Sequence, residues 1–452
     1  MSKLFFDAAL LPDGWARDVA ISVDPDGRIG AITPGSSPHG ADRRSGVAVP
    51  GIPNVHSHAF QRGIAGLTER RGSGPDSFWT WRQMMYRFLD RLEPEDLEAL
   101  AAQAYLEMLE AGFTAVGEFH YVHHDPAGRP YADRAEMAGR IATAAASTGI
   151  GLTLLPVFYA YGDFGGKPAE AGQRRFVTGP DDFLPLVDAT RTACANVPDA
   201  VTGIAPHSLR AVTADGLGSV VDGVGDGPIH IHVAEQQREV DGCRAAYGKR
   251  PVEWLLDGCR VDDRWCLVHA TQTTADEIQA IAATGAVVGL CPITEANLGD
   301  GIFAAGKFLD AGGRIGIGSD SNVFIAAAEE MRLMEYGQRL RDRVRNVLAV
   351  PGGSVGRNLV DVVCRGGARA LGRRIGALEA GYRADIVVLD ADHPALIGKH
   401  DDGWLDGWIF AGDNRVVRDV WVHGRRVVED GRHPARDALR SRYAAALARL
   451  LE

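Results

Sequence analysis

Lysine is scarce in this 452-residue chain. Of 48 basic residues only Lys3, Lys167, Lys249, Lys307 and Lys399 are lysine. There is no basic tract and the formal net charge is −11, which excludes nonspecific attachment to nucleic acid. It leaves room for a small anionic substrate, because a pocket can be locally basic inside an acidic protein. Cysteine is sparse too. Six are present, Cys194, Cys243, Cys259, Cys266, Cys291 and Cys364, with no CxxC pair and no framework spacing. They read as reduced thiols of a cytoplasmic protein. No apolar run is long enough to cross a bilayer, and Met1-Ser2-Lys3-Leu4-Phe5-Phe6-Asp7 lacks the apolar region of a signal peptide. Neither membrane insertion nor secretion is expected.

What is present is ordinary for a globular protein: 46% hydrophobic and 24% charged residues. The length suits a barrel-sized domain plus a smaller one. Residues 1–48 alternate in short runs broken by Pro-Asp-Gly turns at 12–14 and 25–27, the pattern of antiparallel sheet. From 49 to 374 the pattern changes to near-continuous apolar strands separated by helical stretches, as in buried parallel sheet. Eight strands are expected, at 47–58, 114–120, 151–158, 201–208, 228–235, 265–271, 286–292 and 314–321. A helix is expected at 94–111, stopped by Gly112. This is the grammar of an α/β fold, a (β/α)8 TIM-like barrel, with a doubly wound sheet as the alternative. Strand patterns return after 375. Residues 1–48 and 375–452 are therefore expected to build one small β-sandwich domain from both chain ends, beside the barrel of 49–374.

Polar residues gather at the carboxyl ends of the barrel strands, where such barrels carry their catalytic groups. The first strand ends in His56-Ser57-His58. Side chains two apart on a strand share a face, so both imidazoles can reach one ion. His232, His269 and Asp320 end the fifth, sixth and eighth strands. A lone histidine at a strand end is more often structural than ligating. Five such groups at strand ends point instead to a divalent metal centre, with Zn²⁺ the first choice for imidazoles plus a carboxylate. His56, His58, His232 and Asp320 are the expected ligands. His269 is either a ligand or a proton shuttle, and with Asp320 it would help deprotonate water. Glu235, three residues past His232, is placed to carry a proton to a leaving group; the bland reading is a solvated loop carboxylate. His230 faces the same side one layer deeper and reads as structural. Two-metal hydrolases on such barrels bridge their ions through a carboxylated lysine of the fourth strand. Here no lysine lies at a strand end, so one ion is expected.

These residues resemble a known family. Pro50-Gly51 ahead of the His56/His58 pair, His232-Val233-Ala234-Glu235, Val268-His269, Ser319-Asp320 and Gly381-Tyr382-Arg383-Ala384-Asp385 look like the amidohydrolase superfamily in its mononuclear deaminase branch. The resemblance spans essentially the whole chain. Within that branch, segments 54–62, 118–123, 205–210 and 291–301 are most similar to the N-formimidoyl-L-glutamate deiminases of histidine degradation. The resemblance implies hydrolysis of a linear amidine with release of ammonia, and a homodimer. It also implies that Gln61, Arg82, Tyr121, His207 and Arg210 bind the substrate. Such a substrate carries two carboxylates, which guanidinium forks match. On spacing alone, any one of so many arginines is more often a surface ion-pair partner. The stretch 61–93, with Trp79, Trp81, Met84, Met85, Tyr86 and Phe88, either caps the pocket or meets a second subunit.

Three other readings compete. A deaminase of purine, pyrimidine or triazine rings needs an apolar pocket without paired guanidiniums. A cyclic amidohydrolase opens a ring on the same centre. A metal-stabilised scaffold without activity needs neither Glu235 nor His269.

Overall fold

A two-residue turn opens the fold. Pro12 and Asp13 reverse the chain so that Leu11 of β1 (Ser2–Leu11) pairs with Gly14 of β2 (Gly14–Val23). Strands β3 (Ile29–Thr33) and β4 (Asp42–Pro50) follow. The computed structural model describes residues 2–70 and 78–452. Met1, residues 71–77 of the expected 61–93 insertion and the side chain of Trp79 lie outside the described residues.

Nine parallel strands come next: β5 (Ile52–Ser57), β6 (Phe113–His120), β7 (Gly151–Phe158), β8 (Val201–Thr202), β9 (Ala205–Pro206), β10 (Ile229–Val233), β11 (Trp265–His269), β12 (Val287–Leu290) and β13 (Arg314–Ile317). Their order is β10-β11-β12-β13-β5-β6-β7-β8, with β9 also on β7. Bridges from Ile204 to Ile229 and from Ser208 to His232 join the last strands to β10. That closure makes a barrel and removes the doubly wound alternative. Strands β14 (Ile386–Leu389), β15 (Val417–Val422) and β16 (Arg425–Val428) return to the first sheet, in the order β16-β15-β14-β4-β1-β2-β3.

Two expected strands are broken, each at a glycine. The run 47–58 is two strands, β4 in the small sheet and β5 in the barrel. They part at Gly51, where a Cβ would lie 2.2 Å from Thr114 Oγ1. The run 201–208 is split into β8 and β9 around Gly203, whose Cβ would meet Pro228 O at 2.2 Å. Only glycine lets the chain pass so close to its neighbour. The helix Pro94–Glu110 matches expectation, opened by a capping box between Glu93 and Asp96 with Pro94 in the first turn.

At its centre the small sheet is buried on both faces, and the side chains divide by alternation. Leu4, Phe6, Ala48, Ile386, Val388 and Trp421 form a core within the sheet itself. Val47, Val49, Val387 and Leu389 join the main core of the barrel and its helices. Phe6 and Trp421 touch with ring centroids 6.0 Å apart. β4 and β14 separate their strands, and a flat sheet would hold them about 14 Å apart. The sheet therefore curls over its own core in sandwich fashion.

Helix Val355–Ala370 closes the barrel floor. Gly366 lies against Ile315 and Gly367 against Pro53, with room for no Cβ at either. His230 is buried one layer below His232 and bonds Ala370 O at the end of this helix, at 2.8 Å. A Cβ on Gly366 would stand 2.0 Å from Ile315 O, whereas one on Gly218, in helix Ala214–Gly223, meets nothing within 4 Å. Gly366→Ala is therefore expected to destabilise the protein by about 3 kcal/mol. Gly218→Ala is expected to be neutral or stabilising by about 0.5–1 kcal/mol. Chemical denaturation of the two variants beside the parent checks both signs.

Candidate active site

The strand ends at the barrel's upper rim place the expected groups together. His56 lies within β5 and His58 immediately after it. His232 lies within β10, His269 ends β11, and Asp320 follows β13 by three residues. The turns that present these groups are unusual. Ala234, His269, Ala270, Asp320 and Asn322 all have positive φ, from 44° to 70°. Non-glycine residues in that region are held there by their surroundings, and such strain clusters at functional sites.

The donor atoms converge. His56 Nε2 is 3.0 Å from His232 Nε2 and 3.5 Å from Asp320 Oδ1, and His58 Nε2 is 3.4 Å from the same oxygen. A tetrahedral ion with bonds of ~2.0–2.2 Å holds its donors about 3.3–3.6 Å apart. His58 Nδ1 faces Phe119 O at 3.0 Å and His232 Nδ1 faces His207 O at 2.9 Å. Those carbonyls keep the proton on Nδ1 and leave each Nε2 lone pair aimed inward. Burial holds His58 and His232 below the usual imidazole range and His56 down to about 3, so all three are neutral donors. The geometry admits a cation at His56, His58 and Asp320 and, overlapping it, at His56, His232 and His269.

His269 stands among carboxylates. Its Nδ1 meets Glu295 at 3.2 Å, and its Nε2 lies 3.8 Å from Glu235 and 3.7 Å from Asp320. Burial alone lowers an imidazole, but Glu235, Glu295 and Asp320 outweigh it and lift His269 to about 10. Glu235 is buried as well, not a solvated loop residue. Burial, opposed by His269 and Arg210, pushes its carboxyl up to about 7, so it exchanges a proton near neutrality.

Several supports were not visible in the sequence. Glu239, four residues after Glu235, accepts the backbone N–H groups of Ala234 and Glu235 at 3.2 and 3.0 Å and so fixes that turn. Glu295 orients His269 while accepting Cys291 N–H at 2.8 Å. Asn322 donates from one amide nitrogen to Ser57 Oγ, His58 O and Asp320 O, each at 3.1 Å. Its carbonyl accepts Ser319 Oγ at 2.6 Å, and Ser319 Oγ in turn accepts Asn54 Nδ2 at 2.7 Å. On the other side of the His56/His58 pair, Glu118 accepts Ala59 N–H at 2.7 Å, with its carboxyl raised to about 8 by burial.

One cavity opens onto this cluster. Gln61, Arg82, Tyr121, His207 and Arg210 all line it, together with His58, His232, Glu235, His269 and Asp320. Tyr159, Phe176, Thr294, Leu298 and Ser321, which no spacing in the sequence marks, complete the wall. Gln61 Nε2 donates to Tyr121 Oη at 2.8 Å. Arg82 lies 5.5 Å from the Tyr86 ring centroid, and Arg210 is only 7% exposed. Helix Phe78–Leu89, in the 61–93 stretch, brings Trp81, Arg82, Met85 and Tyr86 to the cavity.

Residues 1–46 match the N-terminal domain of formimidoylglutamate deiminase HutF, and residues 47–427 match the amidohydrolase family. The chain is 52% identical to a formimidoylglutamate deiminase of Pseudomonas aeruginosa, over 100% of both chains. It is 28% identical to a 5-methylthioadenosine/S-adenosylhomocysteine deaminase of Natronomonas pharaonis, over 86% of this chain and 83% of that one. Among solved structures, an amidohydrolase from Brucella melitensis superposes with a TM-score of 0.96 at 52% identity, covering 100% of each chain. A zinc-bound adenosine deaminase from Xanthomonas campestris shares the fold, with a TM-score of 0.82 at 22% identity over 99% of this chain and 98% of that one. The strand-end histidines and aspartate thus sit in a scaffold matched along its whole length, and the chain belongs to the amidohydrolase family.

Proposed function

We propose that this enzyme hydrolyses N-formimidoyl-L-glutamate to N-formyl-L-glutamate and ammonia, the reaction of the 52%-identical formimidoylglutamate deiminase of Pseudomonas aeruginosa. The observation that carries the reading is a single cavity that pairs two guanidiniums, Arg82 and Arg210, with the histidine–carboxylate cluster. A substrate with two carboxylates and a hydrolysable C=N bond fits both ends. A ring deaminase has no use for the two guanidiniums.

His56, His58, His232 and Asp320 would hold one divalent ion, Zn²⁺ by the chemistry of the set. Such an ion supplies Lewis acidity that activates water near neutral pH. A single ion suits the lysine distribution: Lys167 and Lys249 pair with Asp163 and Asp257, and neither lysine lines the cavity. Arg82 and Arg210 bind the carboxylates, and Gln61, Tyr121 and His207 shape the passage to the reacting carbon. Asp320 accepts one proton of the attacking water, and His269, held charged among Glu235, Glu295 and Asp320, orients that water. Water adds to the formimino carbon, and Glu235 delivers a proton to the terminal nitrogen. That nitrogen takes a second proton, the one Asp320 removed from water, and leaves as ammonia while the hydroxyl of the adduct returns its proton to Glu235 and becomes the formyl C=O. In this reading the enzyme works in the cytoplasm as a homodimer, apart from nucleic acid and membranes. No described helix is long and apolar enough to cross a membrane.

Three outcomes are expected. Glu235→Gln keeps about one metal ion per chain by elemental analysis and lowers kcat by about 10²–10⁴-fold; an unimpaired rate removes Glu235 from the reaction. Arg82→Met and Arg210→Met each lower kcat/KM by about 10–100-fold, mainly through KM; unchanged ammonia release at low substrate rejects the carboxylate assignment. Dialysis against a strong chelator abolishes activity, and one equivalent of Zn²⁺ restores it; full activity in a metal-free sample rejects the metal centre.

A further inference from the structure

Arg175 is among the largest fully buried side chains, 1% exposed, and it does not line the cavity. Two of its three guanidinium nitrogens, Nε and Nη1, donate to backbone carbonyls, and Tyr131 lies beside the group. Nη1 donates to Leu89 O at 2.5 Å and to Leu92 O at 2.8 Å, and Nε donates to His124 O at 2.8 Å. Its own carbonyl accepts His123 N–H at 3.0 Å and His124 N–H at 3.1 Å.

These bonds join three walls of the pocket. Leu89 ends helix Phe78–Leu89, the element that carries Trp81, Arg82, Met85 and Tyr86. A helix end leaves carbonyls without intrahelical partners, and a cation there is favoured by the helix dipole. His123 and His124 follow Tyr121 on the second wall. Phe176, the residue after Arg175, belongs to the third wall, and its ring lies 4.8 Å from that of Tyr121. The planar fork of arginine can bond two segments at once, which a lysine ammonium on a flexible stem does not reproduce.

We propose that Arg175 is a positioning residue for the carboxylate-binding end of the pocket: by clamping the end of helix Phe78–Leu89 it sets where the Arg82 guanidinium stands. The inference rests on the formimidoylglutamate reading of the site. Arg175 touches neither substrate nor the reacting atoms, and its effect passes through Arg82.

Steady-state ammonia release from N-formimidoyl-L-glutamate by the parent, Arg175→Met, Arg175→Lys, Arg82→Met and the double variants tests it. Arg175→Met is expected to raise KM by about tenfold or more while kcat stays within about threefold and metal content is unchanged, with Arg175→Lys intermediate. In the Arg82→Met background, the Arg175 substitution is expected to raise KM by less than about twofold more, because its route to the substrate is already gone. A KM within about twofold of the parent in Arg175→Met overturns the inference, as does a fall confined to kcat or a full KM rise that persists without Arg82. Should Arg175→Met fail to fold, the cycle built on Arg175→Lys makes the same comparison. An inactive parent overturns the activity and the inference together; an active parent with any of those other results overturns only the role of Arg175.

Discussion

The site depends on the seam where the barrel's last strand meets its first. Asp320 N–H donates to His56 O and His58 N–H donates to Asp320 O, each at 2.9 Å. These two backbone bonds bring together residues more than 260 positions apart in the chain, and Asn322 fastens the same junction from below. The separations of His56 and His58 from Asp320 are thus set by main-chain pairing rather than by mobile side chains. Catalytic groups carried on paired strands are held more tightly than groups on free loops. The left-handed turns at Asp320 and Asn322 are the strained part of the arrangement, sustained by a buried amide with every polar atom bonded.

Electrostatics explains why such a site needs a cation. Glu235, Glu239, Glu295, Asp300, Asp320 and Glu330 are all buried. So many carboxylates out of water repel one another and lack solvation. Part of the imbalance is relieved by protonation: burial, with the charge of Glu235, pushes Asp300 up to about 9. His269 and Arg210 relieve more of it. A divalent ion among His56, His58, His232 and Asp320 would balance charge where the histidines, being neutral, cannot.

The parts legible in the sequence were those encoded by periodicity and residue type at element ends. The His56/His58 spacing reveals a shared strand face, and His232, His269 and Asp320 stand where apolar runs stop. The barrel and the joining of both termini into one sheet followed from the same patterns. The breaks at Gly51 and Gly203 were hidden, because each answers to a neighbour, Thr114 or Pro228, remote along the chain. Glu239, Glu295 and Asn322 were hidden for a related reason. Their task is to accept or donate at particular backbone groups, and that leaves no periodic trace. Arg82 and Arg210 could be picked out from the other arginines only through resemblance, and it is the cavity that sets them apart.

The curled sheet is shared by the two ends of the chain, and this has a bearing on synthesis. β4 lies between β1 and β14, so its second edge stays open until Ile386–Leu389, more than 330 residues further along, leaves the ribosome. A nascent chain would expose an apolar strand edge through the making of the whole barrel, the kind of edge that invites pairing with other chains. Loss of Ile386–Leu389 would leave that edge permanently unsealed.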